Sequence, residues 1–282
     1  MKRFPTWKNW QNTPWTLVSK HQKDLAIFPI LHQNNILETL VIEADTDGLG
    51  TFSGEIPRNL TVTETLEEKC KLGFSNSYHS LFIATEGSFG PHPLFPWVPQ
   101  HQESFILLDR ASSSKFYFHY SSQHTNFQVE SIETEQQLVE FCHRIKFPSH
   151  GIILKKTVDE EVEIFKDIFD WKTLVSVYRT LGNNVMVESD MRAMNNPTRM
   201  ANIRIGFSNF LKHLQSECPK CHYPGFSQRK VERGLPCEWC NSPTESILCS
   251  ILVCDFCQHE VVNRNPNGKI KEDPMYCSNC NP

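Results

Sequence analysis

Four cysteine pairs in the last third of the chain have the spacing that metal sites require. In each pair two residues separate the cysteines, so one tight turn can offer two thiolates to the same ion. Zinc takes four such ligands in a tetrahedron, and eight cysteines therefore suffice for two closed structural sites. The predicted ligands of two Zn²⁺ ions are Cys218, Cys221, Cys237, Cys240, Cys254, Cys257, Cys277 and Cys280.

The spacing leaves open which cysteine pairs share an ion. Gaps of 15 and 19 residues separate the first pair from the second and the third from the fourth, close to the zinc-ribbon pattern. We therefore predict sequential pairing, with a nested or crossed arrangement as the alternative. Disulfides or free core thiols are the other interpretation, which four regular pairs disfavour.

The start of the chain bears on the redox environment of these cysteines. The first fifteen residues contain charges and three tryptophans but no apolar stretch of the kind found in secretory signals. No segment approaches the ~20 apolar residues of a membrane span. We therefore expect a cytoplasmic protein without a membrane partner, where reduced thiols favour zinc over disulfides.

Length and composition indicate two parts. The 282 residues suggest about two domains on a scale of ~150 residues each. With 39% hydrophobic residues, the part before the cysteine pairs can bury a sizeable core. We place a body at residues 1–215 and a zinc module at residues 216–282. A formal net charge of −4 gives the chain no general attraction for nucleic acid.

Apolar runs in the body alternate with segments of helical pattern. Strands are predicted at 16–18, 40–42, 80–84, 105–108 and 185–187. Residues 61–64 have the form of a capping box and predict a helix to about residue 72. The alternation favours an α/β fold whose mixed, largely parallel sheet is flanked by helices, followed by a small double zinc-ribbon module.

Polar and charged residues follow several predicted strands. Ligands of open α/β sheets bind beyond the carboxyl ends of the strands, so we expect these residues to surround one cleft. The candidate catalytic residues from this pattern are Glu86, His92, Asp109 and Asp190, and the candidate substrate-binding residues are Lys20, His21, Lys23, Arg192, Asn196 and Arg199. Further carboxylates after the second strand are Asp45, Asp47 and Glu55.

Such a mixture of carboxylates and cations suits Mg²⁺-assisted phosphate chemistry. Carboxylates hold the ion, Lys and Arg neutralise phosphate oxygens, and the ion activates a water molecule. Each residue also has a structural interpretation: a turn at Asp45, solvated charge at Lys20 and Lys23, or an ion-pair network of Asp190 with the nearby arginines.

Seven motifs are similar to those of an uncharacterised bacterial family of the domain-of-unknown-function type. They include E-G-S-F-G-P-H-P, D-M-R-A-x-x-N-P-T-R-M and a terminal C-x-x-C-N-P. The matching segments are residues 46–58, 86–93, 125–127, 147–150, 190–200, 234–240 and 277–282. This resemblance covers almost the whole chain but implies no established activity.

The first ninety residues also resemble the opening of inosine-triphosphate-pyrophosphatase-like families, which hydrolyse non-standard nucleoside triphosphates. Residues 17–23 are similar to their phosphate-binding turn, with Lys23 in the place of its lysine. Residues 65–68 are similar to a helix motif whose glutamate, here Glu68, holds a metal. Residues 84–88 are similar to an acidic strand end, with Glu86 as its second acid and Thr85 in place of its first.

The first hypothesis is a metal-dependent hydrolase of a small phosphate-containing molecule, such as a nucleotide. In it Glu68, Glu86 and Asp109 hold Mg²⁺, and the cations at the strand ends bind phosphate. The rival hypothesis is a non-enzymatic protein whose zinc ribbons dock on a protein or nucleic-acid partner. Residues 216–282 contain seven Lys or Arg and eight Asp or Glu, and this balance disfavours nucleic acid.

Overall fold

The computed structural model describes residues 4–50 and 59–282, so residues 51–58, with the candidate Glu55, lie outside the described part. The chain divides into two compact units. The first unit contains residues 10–210, and the second contains residues 4–9 together with residues 211–282. The division lies between Phe210 and Leu211, inside a helix that ends at Gln215.

The first unit contains a five-stranded mixed sheet. Its strands are β1 (Trp15–Val18), β2 (Thr39–Ile42), β3 (Leu81–Pro91), β4 (Pro99–Asp109) and β5 (Ser114–Ser122). They lie in the order β2-β1-β3-β4-β5. β1 pairs in parallel with β2 and β3, whereas β3, β4 and β5 pair as antiparallel hairpins. The predicted mixed sheet with parallel strands is confirmed, and parallel pairing accounts for two of its four strand pairs.

Helices connect the parallel strands because a tight turn cannot close a parallel pair. They are α2 (Asp24–Gln33), between β1 and β2, and α3 (Val62–Phe74), between β2 and β3, whereas the short helix α1 (Trp7–Gln11) precedes β1. The predicted capping box of α3 is present, formed by Thr61 and Glu64. The buried residues of α3 recur every three or four positions, so that one face of the helix packs inward. They are Thr65, Leu66, Lys69, Cys70 and Gly73.

A second, antiparallel sheet follows in the same unit. Its strands are β6 (Val129–Ile132), β7 (Ile152–Val158), β8 (Glu161–Ile168) and β9 (Val185–Ser189), in the order β6-β9-β7-β8. α4 (Glu135–Ile145) and α5 (Trp171–Leu181) share its hydrophobic core. The sequence did not predict β8, because this strand is largely exposed and charged. Asp159 and Glu160 join β7 to β8 with φ of 49° and 70°, as a two-residue hairpin turn requires.

α6 (Pro197–Gln215) begins with proline, which fits there because the first helical position needs no backbone donor. Its first-unit part packs on β4, where the rings of Phe207 and Phe210 each lie 6.0 Å from the ring of Phe105. This packing brings the first turns of α6 to the middle of β4. Among the described helices, none combines the length and the hydropathy needed to cross a membrane.

The second unit contains a three-stranded antiparallel sheet formed by β10 (Ser227–Arg233), β11 (Ile247–Val253) and β12 (Glu260–Arg264). Residues 4–9 belong to this unit. The ring of Phe4 lies 4.9 Å from that of Phe256, edge to face. The backbone nitrogen of Trp7 donates to Glu217 Oε1 at 3.1 Å. These contacts attach the early segment to the cysteine-bearing part of the chain.

Candidate metal centres and a buried charged site

The eight cysteines of the four pairs form two tetrads. The first is Cys218, Cys221, Cys254 and Cys257, and the second is Cys237, Cys240, Cys277 and Cys280. Within each tetrad all Sγ atoms lie within 4.8 Å of one another, and sulfurs of different pairs approach to between 3.6 and 3.8 Å. Tetrahedral zinc with Zn–S bonds of about 2.3 Å separates its sulfurs by ~3.8 Å. Both donor sets therefore fit the predicted Zn²⁺.

The predicted sequential pairing is wrong, because the tetrads are crossed. The first pair joins the third, and the second joins the fourth. Strand register explains this: Ser227 of β10 lies opposite Val253 of β11, which brings Cys254 beside the first pair. Cys237 forms a bridge with Glu272, which brings the second pair beside the segment that precedes Cys277. The gaps between cysteines carry no information on this register.

Each tetrad is chemically closed. Four protein thiolates complete the coordination of zinc, so neither site keeps an open position for a substrate. Closed sites of this kind stabilise folds rather than carry reactions. With zinc bound, the tetrads would stabilise the second unit, and a reactive site has to be sought in other residues.

The first unit contains a cluster of buried ionisable side chains, five of which we call the charged centre. Its members are Lys23, Lys69, Glu86, Glu103 and Arg199, each less than one tenth exposed. They come from the start of α2, the inward face of α3, β3, β4 and the first turns of α6. Burying charge is unfavourable unless the charges are paired. The contacts within the centre provide such pairing.

Glu103 is the most heavily coordinated member of the charged centre. Its carboxylate accepts hydrogen bonds from Arg199 Nη2 at 3.2 Å and Thr85 Oγ1 at 2.7 Å, and His101 Nε2 lies 3.0 Å from it. Burial opposes the charge of Glu103, but Arg199 and Lys23 beside it hold the pKa of this carboxyl well below its usual range. Glu103 is therefore a fixed anion.

Two lysines converge on the backbone carbonyl of Thr85. Lys23 Nζ donates to this oxygen at 3.2 Å and to Thr85 Oγ1 at 2.7 Å. Lys69 Nζ donates to the same oxygen at 3.3 Å and forms an ion pair with Glu86. Burial lowers the pKa of Lys23 to about 7; Glu103 opposes this shift, and the neighbouring cations add to it. Lys23 can therefore exchange a proton near neutral pH.

Ser19 lies directly after β1, in the same segment as Lys23. Its side chain is 6% exposed, and in the described part of the chain its Oγ has no hydrogen-bond partner. Its backbone nitrogen donates to Ile42 O at 3.1 Å. A buried hydroxyl without a partner is unfavourable. This unpartnered hydroxyl lies just after a parallel strand, at the end of the sheet where ligands of open α/β folds bind.

Glu68, a predicted Mg²⁺ ligand, does not join Glu86. Its carboxylate contacts Lys71 Nζ at 2.7 Å, and its side chain is 42% exposed. The next residue, Lys69, occupies the inward position of α3 and meets Glu86 instead. The prediction was one residue out of phase with the helix. α3 therefore presents a cation to the site, not a carboxylate.

Asp109 also lies away from the charged centre. It pairs with Leu81, at the start of β3, whereas Glu86 lies five residues further along β3, about 17 Å at the rise of a strand. Asp109 accepts hydrogen bonds from Trp10 Nε1 at 3.0 Å and from the backbone nitrogen of Ala111 at 2.9 Å. β4 runs antiparallel to β3, so the carboxyl end of β4, where Asp109 lies, is beside the amino end of β3.

Three other predicted residues occupy exposed or turn positions. Lys20 Nζ lies 3.0 Å from Asp45 Oδ1, with both side chains well exposed. His21, partly exposed, lies in the same segment between β1 and α2. His92 Nδ1 accepts a hydrogen bond from the backbone nitrogen of Leu94 at 3.1 Å, in the turn between β3 and β4. This contact gives His92 a structural role in the turn.

Asp190, Arg192 and Asn196 form a network in the segment before α6. Arg192 Nη2 lies 2.7 Å from Asp190 Oδ2. Asn196 Oδ1 accepts from the backbone nitrogen of Arg199 at 2.9 Å, while Arg199 Nη1 donates to the carbonyl of Met191 at 2.6 Å. The network positions Arg199 against Glu103. Among these predicted residues, only Arg199 belongs to the charged centre.

Sequence analysis missed Ser19, Lys69 and Glu103 as site residues. Lys69 could have been found from the face of α3, since it follows Thr65 and Leu66 by four and three positions. Glu103 lies within a strand rather than after one, and an isolated acid in a strand gives no signal of this kind. Ser19 is an ordinary residue by type, and only its orphaned hydroxyl distinguishes it.

The fold and the cysteine groups define an α/β protein with two tetrads that could hold metal ions. The family model described as Domain of unknown function (DUF6671) matches residues 69–282, and the chain therefore belongs to this family. Neither the curated proteins nor the solved structures include a match to the chain. The matched segment contains both tetrads and every member of the charged centre except Lys23. The similarity to inosine-triphosphate-pyrophosphatase-like families stays a prediction.

Proposed function

We propose that the first unit binds a small phosphate-containing molecule at the charged centre and hydrolyses it. The observation that carries this proposal is the convergence of three buried basic side chains. Among the described residues, Lys23, Lys69 and Arg199 lie beside two buried carboxylates, Glu86 and Glu103. Such a group suits a phosphate, because Lys and Arg are the side chains that neutralise phosphate oxygens.

The location of the centre supports a ligand site. Ser19 and Lys23 lie between β1 and α2, beyond the carboxyl end of a strand with parallel neighbours on both sides. Ligands of such sheets bind at this edge. The start of α2 adds the partial positive charge of a helix N-terminus. The unpartnered Ser19 hydroxyl supplies a hydrogen-bond donor for a phosphate oxygen.

The chemistry available to these side chains is proton transfer with charge neutralisation. A lysine with a pKa of about 7 is partly neutral at physiological pH and can serve as a general base. In the proposed step, water attacks phosphorus while its proton passes to Lys23 Nζ, and the bond from phosphorus to the leaving oxygen breaks. Lys69 would stabilise the charge that develops on the phosphoryl oxygens.

The test is a turnover assay on the full chain with a panel of nucleoside triphosphates, pyrophosphate and simple phosphate esters. We expect Lys23→Gln to lower kcat/KM for the active substrate by roughly a hundredfold or more. Ser19→Ala should mainly raise KM. Absence of turnover across the panel, together with absence of phosphate binding, would remove the proposal.

The matched control for Lys23→Gln is Lys155→Gln. Lys155 Nζ also forms an ion pair, at 2.7 Å from Glu188, and its side chain is 18% exposed. It lies on β7, in the second sheet, so the substitution should leave turnover unchanged. A similar loss of turnover in both variants would indicate a general effect on folding.

The second candidate function is docking of a protein partner on the second unit. Trp239 and Ile270 are 75% and 76% exposed, and a hydrogen bond of 3.0 Å from the nitrogen of Glu238 to Glu272 O joins their two segments. Cations on β10 are paired, for example Lys230 with Glu260 at 3.1 Å, which favours protein over nucleic acid.

Filter binding with duplex DNA and single-stranded RNA separates the two partner classes. We expect neither to bind at physiological salt. Binding that Lys230→Gln weakens would favour nucleic acid, and a photo-crosslinker placed at position 239 would report a protein partner. Crosslinking equal to that of a placement at exposed Leu248 would count against docking at Trp239.

A further inference from the structure

We infer that the ammonium group of Lys69 takes the place beside Glu86 that a divalent cation would otherwise fill, so that the phosphate site operates without a divalent metal. The inference rests on the proposed function, because it concerns how the same site neutralises a bound phosphate. It differs from the sequence-based hypothesis, in which Mg²⁺ performs this task.

Lys69 is built into the site. It occupies the inward face of α3 and is 8% exposed. Its Nζ forms an ion pair with Glu86 and donates to Thr85 O at 3.3 Å. The same carbonyl accepts from Lys23 Nζ at 3.2 Å, so both ammonium groups meet at one oxygen of β3, just beyond the residues that pair with β1. A cation is therefore fixed where Mg²⁺ would need carboxylate oxygens.

Within residues 4–50 and 59–282, the candidate carboxylates for Mg²⁺ are engaged in ion pairs or lie elsewhere. Glu86 binds Lys69, and Glu103 binds Arg199. Glu68 and Asp109 lie away from the centre. In the described residues, groups of three or more converging His, Cys, Asp or Glu ligand atoms occur at the two cysteine tetrads alone. Mg²⁺ at a phosphate site usually needs one or two carboxylates besides the phosphate oxygens, and ion pairs occupy both carboxylates of the charged centre.

The first test is pyrophosphate binding to the zinc-loaded full chain, measured by calorimetry in buffer freed of other divalent ions. Chelators are avoided because they would strip the cysteine tetrads. We expect Kd to change by no more than about twofold when Mg²⁺ is added at equal free pyrophosphate. Binding that requires Mg²⁺ would overturn the inference and leave the proposed function standing. Absence of binding in both buffers would overturn both.

The second test compares two lysines of the same helix. Lys69→Gln should weaken metal-free binding by about tenfold or more, since a charge-assisted hydrogen bond is lost. Lys69→Arg, which keeps the charge, should retain binding. Lys71→Gln is the control, because Lys71 contacts Glu68 and its side chain is 52% exposed. Unchanged binding in Lys69→Gln would overturn the inference.

A third measurement needs no variant. Electron paramagnetic resonance can detect Mn²⁺, a mimic of Mg²⁺, bound to the wild-type chain. With pyrophosphate present, we expect no more bound Mn²⁺ than pyrophosphate holds in free solution. Stoichiometric Mn²⁺ held by the ternary complex would overturn the inference, even if every Lys69 variant failed to fold.

Discussion

Lys23 is held in a setting that disfavours its own charge. Thr85 and Glu103 contact its ammonium group, yet burial dominates and lowers its pKa from 10.5 to about 7. The charged groups that face it are Glu103 from β4, Arg199 from α6, Lys69 from α3 and Glu86 from β3. A buried lysine whose charged form is disfavoured lowers stability, and residues with such perturbed pKa values are concentrated at functional sites.

The pH dependence of stability follows from this pKa. Between pH ~7 and ~10.5 the unfolded chain binds a proton at Lys23 that the folded chain does not, so the free energy of unfolding rises with pH, by up to about 1.4 kcal/mol per pH unit. Lys23→Met lacks this contribution. Urea unfolding of both proteins at several pH values should show that the free energy of unfolding rises more with pH in the wild type than in the variant. Parallel curves would contradict the assigned burial.

Gly87 tests the Glu103–Arg199 pair. A Cβ at position 87 would lie 2.8 Å from Glu103 Oε2 and 2.9 Å from Arg199 Cζ, so Gly87→Ala must push this pair apart. We expect a loss of about 3 kcal/mol in the free energy of unfolding, typical of a disrupted buried pair. Gly90→Ala on the same strand is the control, because a Cβ there meets nothing within 4 Å. Equal stability of the two variants would contradict this expectation.

At the residue scale, sequence analysis identified ligand types better than it identified site members. The cysteines are recognisable because two thiolates on one turn have a fixed spacing. Lys23 follows β1, and Glu86 follows the strand predicted at 80–84 and lies beyond the part of β3 that pairs with β1; both were found for that reason. Glu68 was chosen in place of Lys69 because an acid next to a lysine does not reveal which of them faces inward; that depends on the packing of α3 on the sheet.

At the scale of elements, the antiparallel direction of β4 explains why Asp109 does not join Glu86 in the predicted Mg²⁺ site. β3 and β4 form a hairpin in which Pro91 pairs with Pro99 and Leu81 with Asp109. The carboxyl ends of two antiparallel strands lie at opposite ends of the sheet. A strand end is therefore a good predictor of the site only in the parallel part, where β1 and β3 carry Lys23 and Glu86 to one edge.

The crossed pairing of the cysteine turns is also an element-scale property. The double variant Cys221→Ser with Cys257→Ser removes two ligands from one tetrad and should leave one zinc per chain. Cys221→Ser with Cys240→Ser damages both tetrads and should leave none bound tightly. Atomic absorption on the purified variants measures the difference. The reverse result would support sequential pairing and contradict the tetrads of the structure.

For the molecule as a whole, the two units differ in what holds them together. The first contains extensive hydrophobic cores, such as the one around Phe141 and Leu174. The second has a core cluster in which two of the three buried members are cysteines of the first tetrad. Structural zinc contributes directly to the folding free energy of small domains. Removal of metal should therefore affect the two units unequally.

Limited proteolysis after treatment with a zinc chelator tests this difference. We expect early cleavage within residues 211–282 and a fragment containing residues 10–210 that resists digestion. Residues 4–9 should lose protection at the same time, because Phe4 packs on Phe256 and Trp7 binds Glu217. Added zinc should restore protection to an untreated level. Equal digestion of both units would contradict a zinc-dependent second unit.

The attachment of residues 4–9 to the second unit was not predictable from sequence. Aromatic residues near the start of a chain indicate packing, but not on which surface. The hydrogen bond from Trp7 to Glu217 joins positions 210 residues apart, and no periodicity or motif encodes such a separation. The α/β body and the cysteine groups, by contrast, depend on local patterns that a single sequence displays.

The crossed tetrads have a consequence for the nascent chain. The thiols of Cys218 and Cys221 emerge from the ribosome before those of Cys254 and Cys257, and the first tetrad cannot close in the meantime. The delay is longer in the second tetrad, where Cys277 and Cys280 have to emerge after Cys237 and Cys240. Each tetrad can therefore bind a metal ion with all four thiolates only after its later cysteine pair has emerged.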